Sequence, residues 1–168
     1  MTEHDIYVQI ADYLRYQYPS VIYRFDLAAD LKLSIGQARK HKRLQHYRGY
    51  PDMFIAEPRV RHTTDYTFGI KLGEGEAPDG SGVIYYAMMF AGLYLEIKKP
   101  GTRIFTKKGL LVADEHIREQ YDMLESLRQR GYKAEFAIGF DEAKRIIDEY
   151  LRDGREETET NRKASRVC

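Results

Sequence analysis

The sequence has little cysteine, no tryptophan and no long apolar run. Cys168 is the single cysteine among 168 residues, which excludes a disulfide within the chain and a multi-cysteine zinc site. No apolar run approaches the roughly 20 residues that cross a membrane. Residues 1–5 (Met-Thr-Glu-His-Asp) are acidic where a secretory signal would be basic and then apolar. These absences predict an intracellular, cytoplasmic protein without a membrane partner.

An excess of either charge is also lacking. Lys and Arg together number 27 and Asp and Glu 26, so the formal net charge is +1. A chain so close to neutrality has no overall field to attract a polyanion. Any contact with nucleic acid must therefore come from local clusters of basic residues. The hydrophobic fraction of 43% and the charged fraction of 32% are typical of a globular protein, and the length suits one domain.

The order of apolar patterns predicts an α/β fold with a central mixed β-sheet flanked by helices. Apolar residues recur at helical spacing in some segments, and β-branched and aromatic residues cluster in others. The predicted helices cover residues 2–18, 34–47, 114–130 and 141–151. The predicted strands cover residues 21–25, 53–56, 93–98 and 134–138.

Residues 59–92 interrupt this pattern as an insertion. Segments 66–72 and 83–90 have the composition of strands, and they flank a stretch rich in Gly, Pro, Asp and Ser. We expect a β-hairpin with a long mobile tip there. Beyond one folded domain over residues 1–151, the chain is charged and weakly apolar, so residues 152–168 are predicted to be a disordered tail.

Two predicted strand ends carry side chains suited to chemistry. Glu96 and Lys98 point to the same face because side chains alternate along a strand. Asp52 begins another strand after a Gly-Tyr-Pro turn, and it converges on Glu96 if the two strands pair. Two carboxylates and a backbone carbonyl, such as that of Ile97, form an oxygen-rich site suited to Mg²⁺ or Mn²⁺. Lys98 would then hold or help deprotonate the attacking water, or neutralise charge on a phosphate.

Each of these residues also has an ordinary explanation. A Glu-x-Lys tripeptide occurs by chance on solvated strand faces. Gln120 falls between Ile117 and Leu124 on the inward face of its helix, where an amide needs a partner. That partner is either backbone at the rim of the core, or a water or phosphate beside Lys98. Glu3 is either a solvated glutamate that complements the helix dipole or a residue of the metal site.

Taken together, these motifs resemble the VRR-NUC family of the PD-(D/E)XK nuclease superfamily. Residues 131–151 are similar to the small stand-alone members found in bacteriophages and mobile elements. The resemblance spans most of residues 3–151. It rests on Gly-Tyr-Pro-Asp at 49–52, on Glu-Ile-Lys-Lys-Pro-Gly at 96–101, and on Glu119 and Gln120 with Leu124, Leu127 and Gly131.

The resemblance implies a restriction-endonuclease-like fold over residues 1–151, and Mg²⁺- or Mn²⁺-dependent hydrolysis of DNA in a bacterial or phage-infected cell. Asp52 and Glu96 would be metal ligands, Lys98 the catalytic lysine and Gln120 the glutamine of the following helix. Glu3 would match the acid of the N-terminal helix. The interval between Asp52 and Glu96 is longer than usual for the family because of the insertion.

The DNA contacts and the substrate remain to be assigned. Branched, flap and junction DNA are candidate substrates, and a homodimer would let two sites cut two strands. Two other functions stay open: a non-catalytic DNA-binding or assembly protein, and an RNA nuclease. Tyr47 and Tyr50 either stack on an unpaired base or pack in the core. The residues that either contact phosphates or form a solvated basic face are Arg39, Lys40, Lys42, Arg43, Arg103, Lys107 and Lys108.

Overall fold

The computed structural model describes residues 1–26, 34–44, 47–63, 70–76, 80 and 82–152. The helices in these ranges are α1 (Glu3–Gln17), α2 (Ile35–Leu44), α3 (Glu115–Arg128) and α4 (Gly139–Arg152). The strands are β1 (Tyr23–Phe25), β2 (Met53–Ile55), β3 (Arg59–Thr63), β4 (Ile70–Glu76), β5 (Val83–Phe90), β6 (Leu93–Lys98) and β7 (Lys133–Ile138). Residues 153–168 of the predicted tail and residues 77–79 and 81 of the predicted hairpin tip lie outside the described residues.

Strand β6 lies inside a four-stranded sheet of order β1-β2-β6-β7. It pairs antiparallel with β2 and parallel with β7, and β2 pairs antiparallel with β1. All six residues of β6 are buried, as expected for a strand that has helices on both of its faces. The predicted mixed sheet flanked by helices is confirmed.

The two faces of this sheet contribute to two separate cores. Leu93, Leu95 and Ile97 of β6 pack in one core with residues of α1 and α4. Tyr94 packs on the other face with Leu124 of α3. Because side chains alternate along β6, Glu96 and Lys98 share the face of Tyr94 and lie between the sheet and α3.

Local capping explains where α1 and α3 begin. Thr2 and Asp5 form a reciprocal capping box at the start of α1, which satisfies two backbone N–H groups that lack helical partners. The Asp114 side chain accepts a hydrogen bond from Ile117 N at 3.0 Å at the start of α3. Tyr121 of α3 is only partly buried, and its ring meets the exposed ring of Phe105 edge-on with centroids 6.3 Å apart.

The insertion forms a second, three-stranded antiparallel sheet of order β3-β5-β4. Strands β4 and β5 form the predicted hairpin, but β4 includes residues 73–76, which were predicted to belong to the tip, because they pair with residues 83–86 of β5. Strand β3 was not predicted. Its sequence, Arg-Val-Arg-His-Thr, lacks the alternation of apolar and polar residues that indicates a strand. Pairing with β5 brings it into the sheet.

The insertion is tied closely to the rest of the chain. Only Ala91 and Gly92 separate β5 from β6. Tyr150 of α4 donates a hydrogen bond from its hydroxyl to the carbonyl of Glu57 at 2.5 Å, and the guanidinium of Arg59 lies 4.8 Å from the Tyr150 ring centroid. These contacts hold the start of the second sheet against α4.

Asp148 links α4 to α1 through a buried hydrogen-bond cluster. Its Oδ1 accepts hydrogen bonds from the hydroxyls of Tyr13 and Tyr18, the latter at 2.7 Å. Its Oδ2 lies 2.7 Å from Lys144 Nζ and 3.2 Å from an Arg152 nitrogen. Burial alone would raise the pKa of Asp148, but the hydrogen bonds from Lys144, Tyr13 and Tyr18 outweigh it and hold that pKa below its ordinary value.

None of the helices in the described ranges has both the length and the apolar content needed to span a membrane.

Candidate active site

Asp52 immediately precedes β2 and lies beside the end of β6. Its Oδ2 accepts a hydrogen bond from Ile97 N at 2.7 Å, and the Tyr7 hydroxyl of α1 donates a second hydrogen bond to its carboxylate. Burial raises the pKa of Asp52, although these two hydrogen bonds oppose the increase. Tyr7 was not identified from the sequence; the available signal was its position one helical turn after Glu3.

Glu96 is the most deeply buried acid of the site, with 1% of its surface exposed. Met53 pairs with Leu95, so continuing that antiparallel register by one residue puts Asp52 opposite Glu96. Burial and the nearby Asp52 carboxylate raise the pKa of Glu96 to about 8, against the opposing effect of Lys98. Two carboxylates that face each other under burial favour a positive charge between them.

The two oxygens of Glu96 have different surroundings. Oε1 accepts hydrogen bonds from Lys98 Nζ at 2.8 Å and from Gln120 Nε2 at 2.5 Å. Oε2 is buried and has no hydrogen-bond partner within the described part of the chain, and the same holds for Oε1 of Gln120. Buried polar atoms without partners are costly. These two atoms therefore mark a place where a cation or ordered water would be stabilised.

Gln120 reaches Glu96 from the inward face of α3. Its Nε2 also lies 3.0 Å from Nε2 of His116, one helical turn earlier. Of the two partners considered for Gln120, the structure thus shows side chains of the site, and not backbone at the rim of the core. His116 was not predicted from the sequence, and the signal that points to it is its i, i+4 spacing to Gln120.

Glu3 approaches the site from the start of α1 without joining the two carboxylates directly. Its Oε1 accepts a long hydrogen bond, 3.4 Å, from the backbone nitrogen of Lys99. The charge of Glu3 is still close enough to contribute to the raised pKa of Asp52.

Asp52 and Glu96 fit a cation that needs few protein ligands. In the described ranges, no group of three or more His, Cys, Asp or Glu side chains is arranged to hold a metal ion. Mg²⁺ usually keeps several of its waters and binds proteins through one or two carboxylates. A pair of facing carboxylates, one with an oxygen that lacks a partner, suits that mode of binding, and Mn²⁺ accepts the same ligands.

The turn before Asp52, formed by residues 48–51, packs against α3. Gly49 has φ +68°, and a Cβ placed on it would lie 2.9 Å from backbone atoms of Glu119 and Gln120. Arg48 adds an ion pair with Glu119 at 3.6 Å. The turn is thereby held beside the helix that carries Gln120.

Six of the seven basic residues proposed to contact phosphates are exposed. On α2, Arg39, Lys40 and Arg43 are exposed, while the side chain of Lys42 lies outside the described part of the structure. Arg103, Lys107 and Lys108 follow β6 in the chain and are exposed as well. Lys107 and Lys108 lie in a turn that is closed by a hydrogen bond from Gly109 N to the Thr106 carbonyl at 3.0 Å.

Comparison with known proteins supports the fold. No protein-family model and no curated protein matches the sequence. A solved structure described as a VRR_NUC domain protein matches with a TM-score of 0.53 and 20% sequence identity, over 90% of this chain and 89% of that one. The likeness shows that this chain shares the α/β fold of that structure.

Proposed function

We propose that this chain is a nuclease that requires Mg²⁺ or Mn²⁺ and hydrolyses phosphodiester bonds in DNA. The observation that carries the proposal is the environment of Glu96. Its Oε1 is held by Lys98 and Gln120, while its Oε2 is buried without a partner in the described structure. The fold shared with a VRR_NUC domain protein supports the same conclusion.

Asp52 and Glu96 are the residues that would hold the cation. A divalent ion at such a site polarises the phosphoryl oxygen, lowers the pKa of water and offsets charge on the leaving oxygen. The remaining steps rest on the side chains around these two acids.

Lys98 is the residue proposed to act on the reacting groups. Its ammonium lies at the end of β6 with 9% of the residue exposed, and it is held 2.8 Å from Glu96 Oε1. An ammonium in this position can donate a hydrogen bond to the attacking water or to a phosphate oxygen. Because it is held before substrate binds, little reorganisation is needed as negative charge develops on the phosphate.

Gln120 and Tyr7 are positioning residues in this scheme. Gln120 restricts the Glu96 carboxylate through its 2.5 Å hydrogen bond, and Tyr7 does the same for Asp52. A carboxylate held in one orientation by a neighbouring donor keeps its oxygens aimed at the ligand.

A cleavage panel tests the proposal. The wild-type protein is incubated with Mg²⁺ or Mn²⁺ and single-stranded, duplex, flap and four-way-junction DNA, and with single-stranded RNA. We expect cleavage of at least one DNA substrate, and a loss of about 100-fold or more in Lys98→Ala. Binding of DNA and the urea midpoint of unfolding should be retained in this variant.

Lys133→Ala is the matched control for Lys98→Ala. Lys133 pairs with the start of β6 rather than its end, so its removal should leave cleavage unchanged. If Lys98→Ala cuts as fast as the wild-type protein, the role assigned to Lys98 is wrong. Cleavage of RNA with none of DNA would instead assign the site to an RNA nuclease.

A non-catalytic DNA-binding or assembly protein on the same fold is the second candidate. It is favoured by the absence of a three-residue acidic or histidine cluster among the described residues. Titration calorimetry with Mn²⁺, in the presence and absence of DNA, separates the two functions. Heat of binding that disappears in Glu96→Gln supports the nuclease, whereas no Mn²⁺ binding under either condition supports the inert protein.

A further inference from the structure

A cavity of about 580 Å³ lies beside the residue that precedes Asp52 in the chain. Pro51 lines it together with the aromatic rings of Tyr50, Phe54 and Tyr94. Arg24 and Asp26 of the β1 segment add polar groups to the wall. This volume is within the range of pockets that bind small organic groups, and the metal-site chemistry described above does not use the cavity.

The register of the sheet puts the cavity next to the carboxylates. Arg24 pairs with Phe54, and Phe54 pairs with Tyr94, so these three side chains form one row across β1, β2 and β6. Asp52 and Glu96 occupy the next row on the same face. Two residues along a strand span about 7 Å. A group in the cavity therefore lies close to anything bound at the two acids.

The aromatic walls are held in place before any ligand arrives. The rings of Phe54 and Tyr94 are stacked, with centroids 4.5 Å apart and an angle of 26° between their planes. Tyr50 meets Tyr94 edge-on at 5.6 Å, and their hydroxyls are 2.8 Å apart. Tyr50 keeps 41% of its surface exposed. Its ring is thus both fixed and accessible, which lowers the entropy lost when a flat ligand stacks on it.

The charges around the cavity favour a group attached to a phosphate chain. Leu44 lines the cavity and is the last residue of α2, which presents Arg39, Lys40 and Arg43 to solvent. Arg24 is exposed as well. Among the described residues, the lining itself holds one cation, Arg24, and one acid, Asp26, so the excess of positive charge comes from the neighbouring helix α2. Flat aromatic walls near cations are the combination that binds single-stranded nucleic acid, because every base has a face that stacks.

We infer that this cavity, lined by Tyr50, Phe54 and Tyr94, holds an unpaired nucleobase of the nucleic acid whose phosphodiester lies at Asp52 and Glu96. The inference rests on the proposed function for the identity of the ligand, and it narrows the substrate class. A base leaves a duplex stack only when its pair is broken, which costs free energy. The preferred substrate is then a single-stranded segment, a flap or a junction with unpaired nucleotides.

Binding measured without a divalent metal tests the inference independently of cleavage. In buffer containing EDTA, fluorescence anisotropy compares the wild-type protein with Tyr50→Leu on a single-stranded DNA oligonucleotide. Leucine keeps an apolar side chain but removes the flat ring. We expect Tyr50→Leu to bind about 10-fold more weakly, with little change in its weaker binding to blunt duplex DNA.

Two variants control for fold and for surface tyrosines in general. Tyr50→Phe keeps the ring and loses only the hydroxyl contact with Tyr94, so its affinity should stay near that of the wild-type protein. Tyr16→Leu removes a tyrosine on α1 that is 84% exposed and does not line the cavity, so it should bind as the wild type does. Urea unfolding of each variant establishes that the chain is folded.

An abasic scan identifies the base itself. Oligonucleotides that lack one base at successive positions should bind wild-type protein more weakly at one position, and that position effect should disappear in Tyr50→Leu. Equal binding of all oligonucleotides by the wild type, or equal loss in both proteins, would overturn the inference. If the position effect is found but the protein cuts no DNA, the inference stands and the proposed nuclease function fails.

Discussion

Gly49 packs directly against the backbone of Gln120. A Cβ on Gly49 would lie 2.9 Å from the Gln120 nitrogen, a distance that real Cβ atoms essentially never show, and the glycine has φ +68°. Two residues that are far apart in the sequence thus set the distance between the turn that leads to Asp52 and the helix that contacts Glu96. The spacing of the site depends on a residue that has no side chain.

We predict that Gly49→Ala destabilises the protein by about 2–4 kcal/mol, because it combines a strained φ with overlap against α3. Gly101→Ala is the matched control, since Gly101 has φ +89° with open space where a Cβ would be, and it should cost only about 1 kcal/mol. Urea unfolding measures both. Equal losses in the two variants would show that the close approach to α3 contributes nothing.

Gln120→Met should separate stability from activity. The substitution keeps the length of the side chain and removes a buried oxygen that has no partner in the described structure, while Glu96 keeps its contact with Lys98. We expect the free energy of unfolding to change by about 1 kcal/mol or less and the cleavage rate to fall about 10-fold or more. A large loss of stability with unchanged cleavage would make Gln120 a structural residue only.

Glu3→Gln should weaken Mn²⁺ binding by about threefold to tenfold, because it removes a negative charge that acts on Asp52. Asp12→Asn is the control, since Asp12 is an exposed acid on the same helix and pairs with Arg15. Titration calorimetry gives both affinities. If the two substitutions have the same effect, Glu3 acts only through the net charge of the protein and not through the site.

Asp148→Asn should destabilise the protein by about 1–3 kcal/mol at pH 7, because a neutral amide cannot replace the carboxylate that holds Tyr13, Tyr18 and Lys144. The pKa of Asp148 is lower in the folded protein than its ordinary value of 3.8. Its stabilising effect is therefore fully present above that ordinary value, and it is lost as the pH falls through the lower, folded value.

The measurement for Asp148→Asn is urea unfolding between pH 7 and pH 2.5. The difference in stability between the wild type and the variant should be constant from pH 7 to about pH 5 and should shrink below pH 4. Asp122→Asn, at an exposed position on α3, should match the wild type throughout. A difference for Asp148→Asn that stays constant to pH 2.5 would contradict the assigned pKa direction.

Much of the site follows from local patterns in the sequence. Alternation along a strand predicts that Glu96 and Lys98 share a face, and helical spacing predicts that Gln120 points inward. Both are geometric properties of a single element. The sequence predicts that Asp52 converges on Glu96 only if β2 pairs with β6, and the structure shows this pairing.

The contacts that depend on how elements cross were not predictable from local patterns. Tyr7 bonds to Asp52 because α1 packs across the end of β2, and no short-range pattern encodes that crossing. The row of Arg24, Phe54 and Tyr94 exists only once β1, β2 and β6 are placed in order. Strand β3 was missed for a related reason: its pairing partner, rather than its own composition, determines its structure.

The connection between β2 and β6 has a consequence for how the molecule can be rebuilt. Ile55 pairs with Leu93, so the chain leaves the larger sheet and re-enters it at two facing positions. The smaller sheet thus lies entirely within the connection between two adjacent antiparallel strands. We expect that a short turn can replace this connection without changing the strand order of the larger sheet, provided that the surface of Tyr150 uncovered by the deletion is made polar.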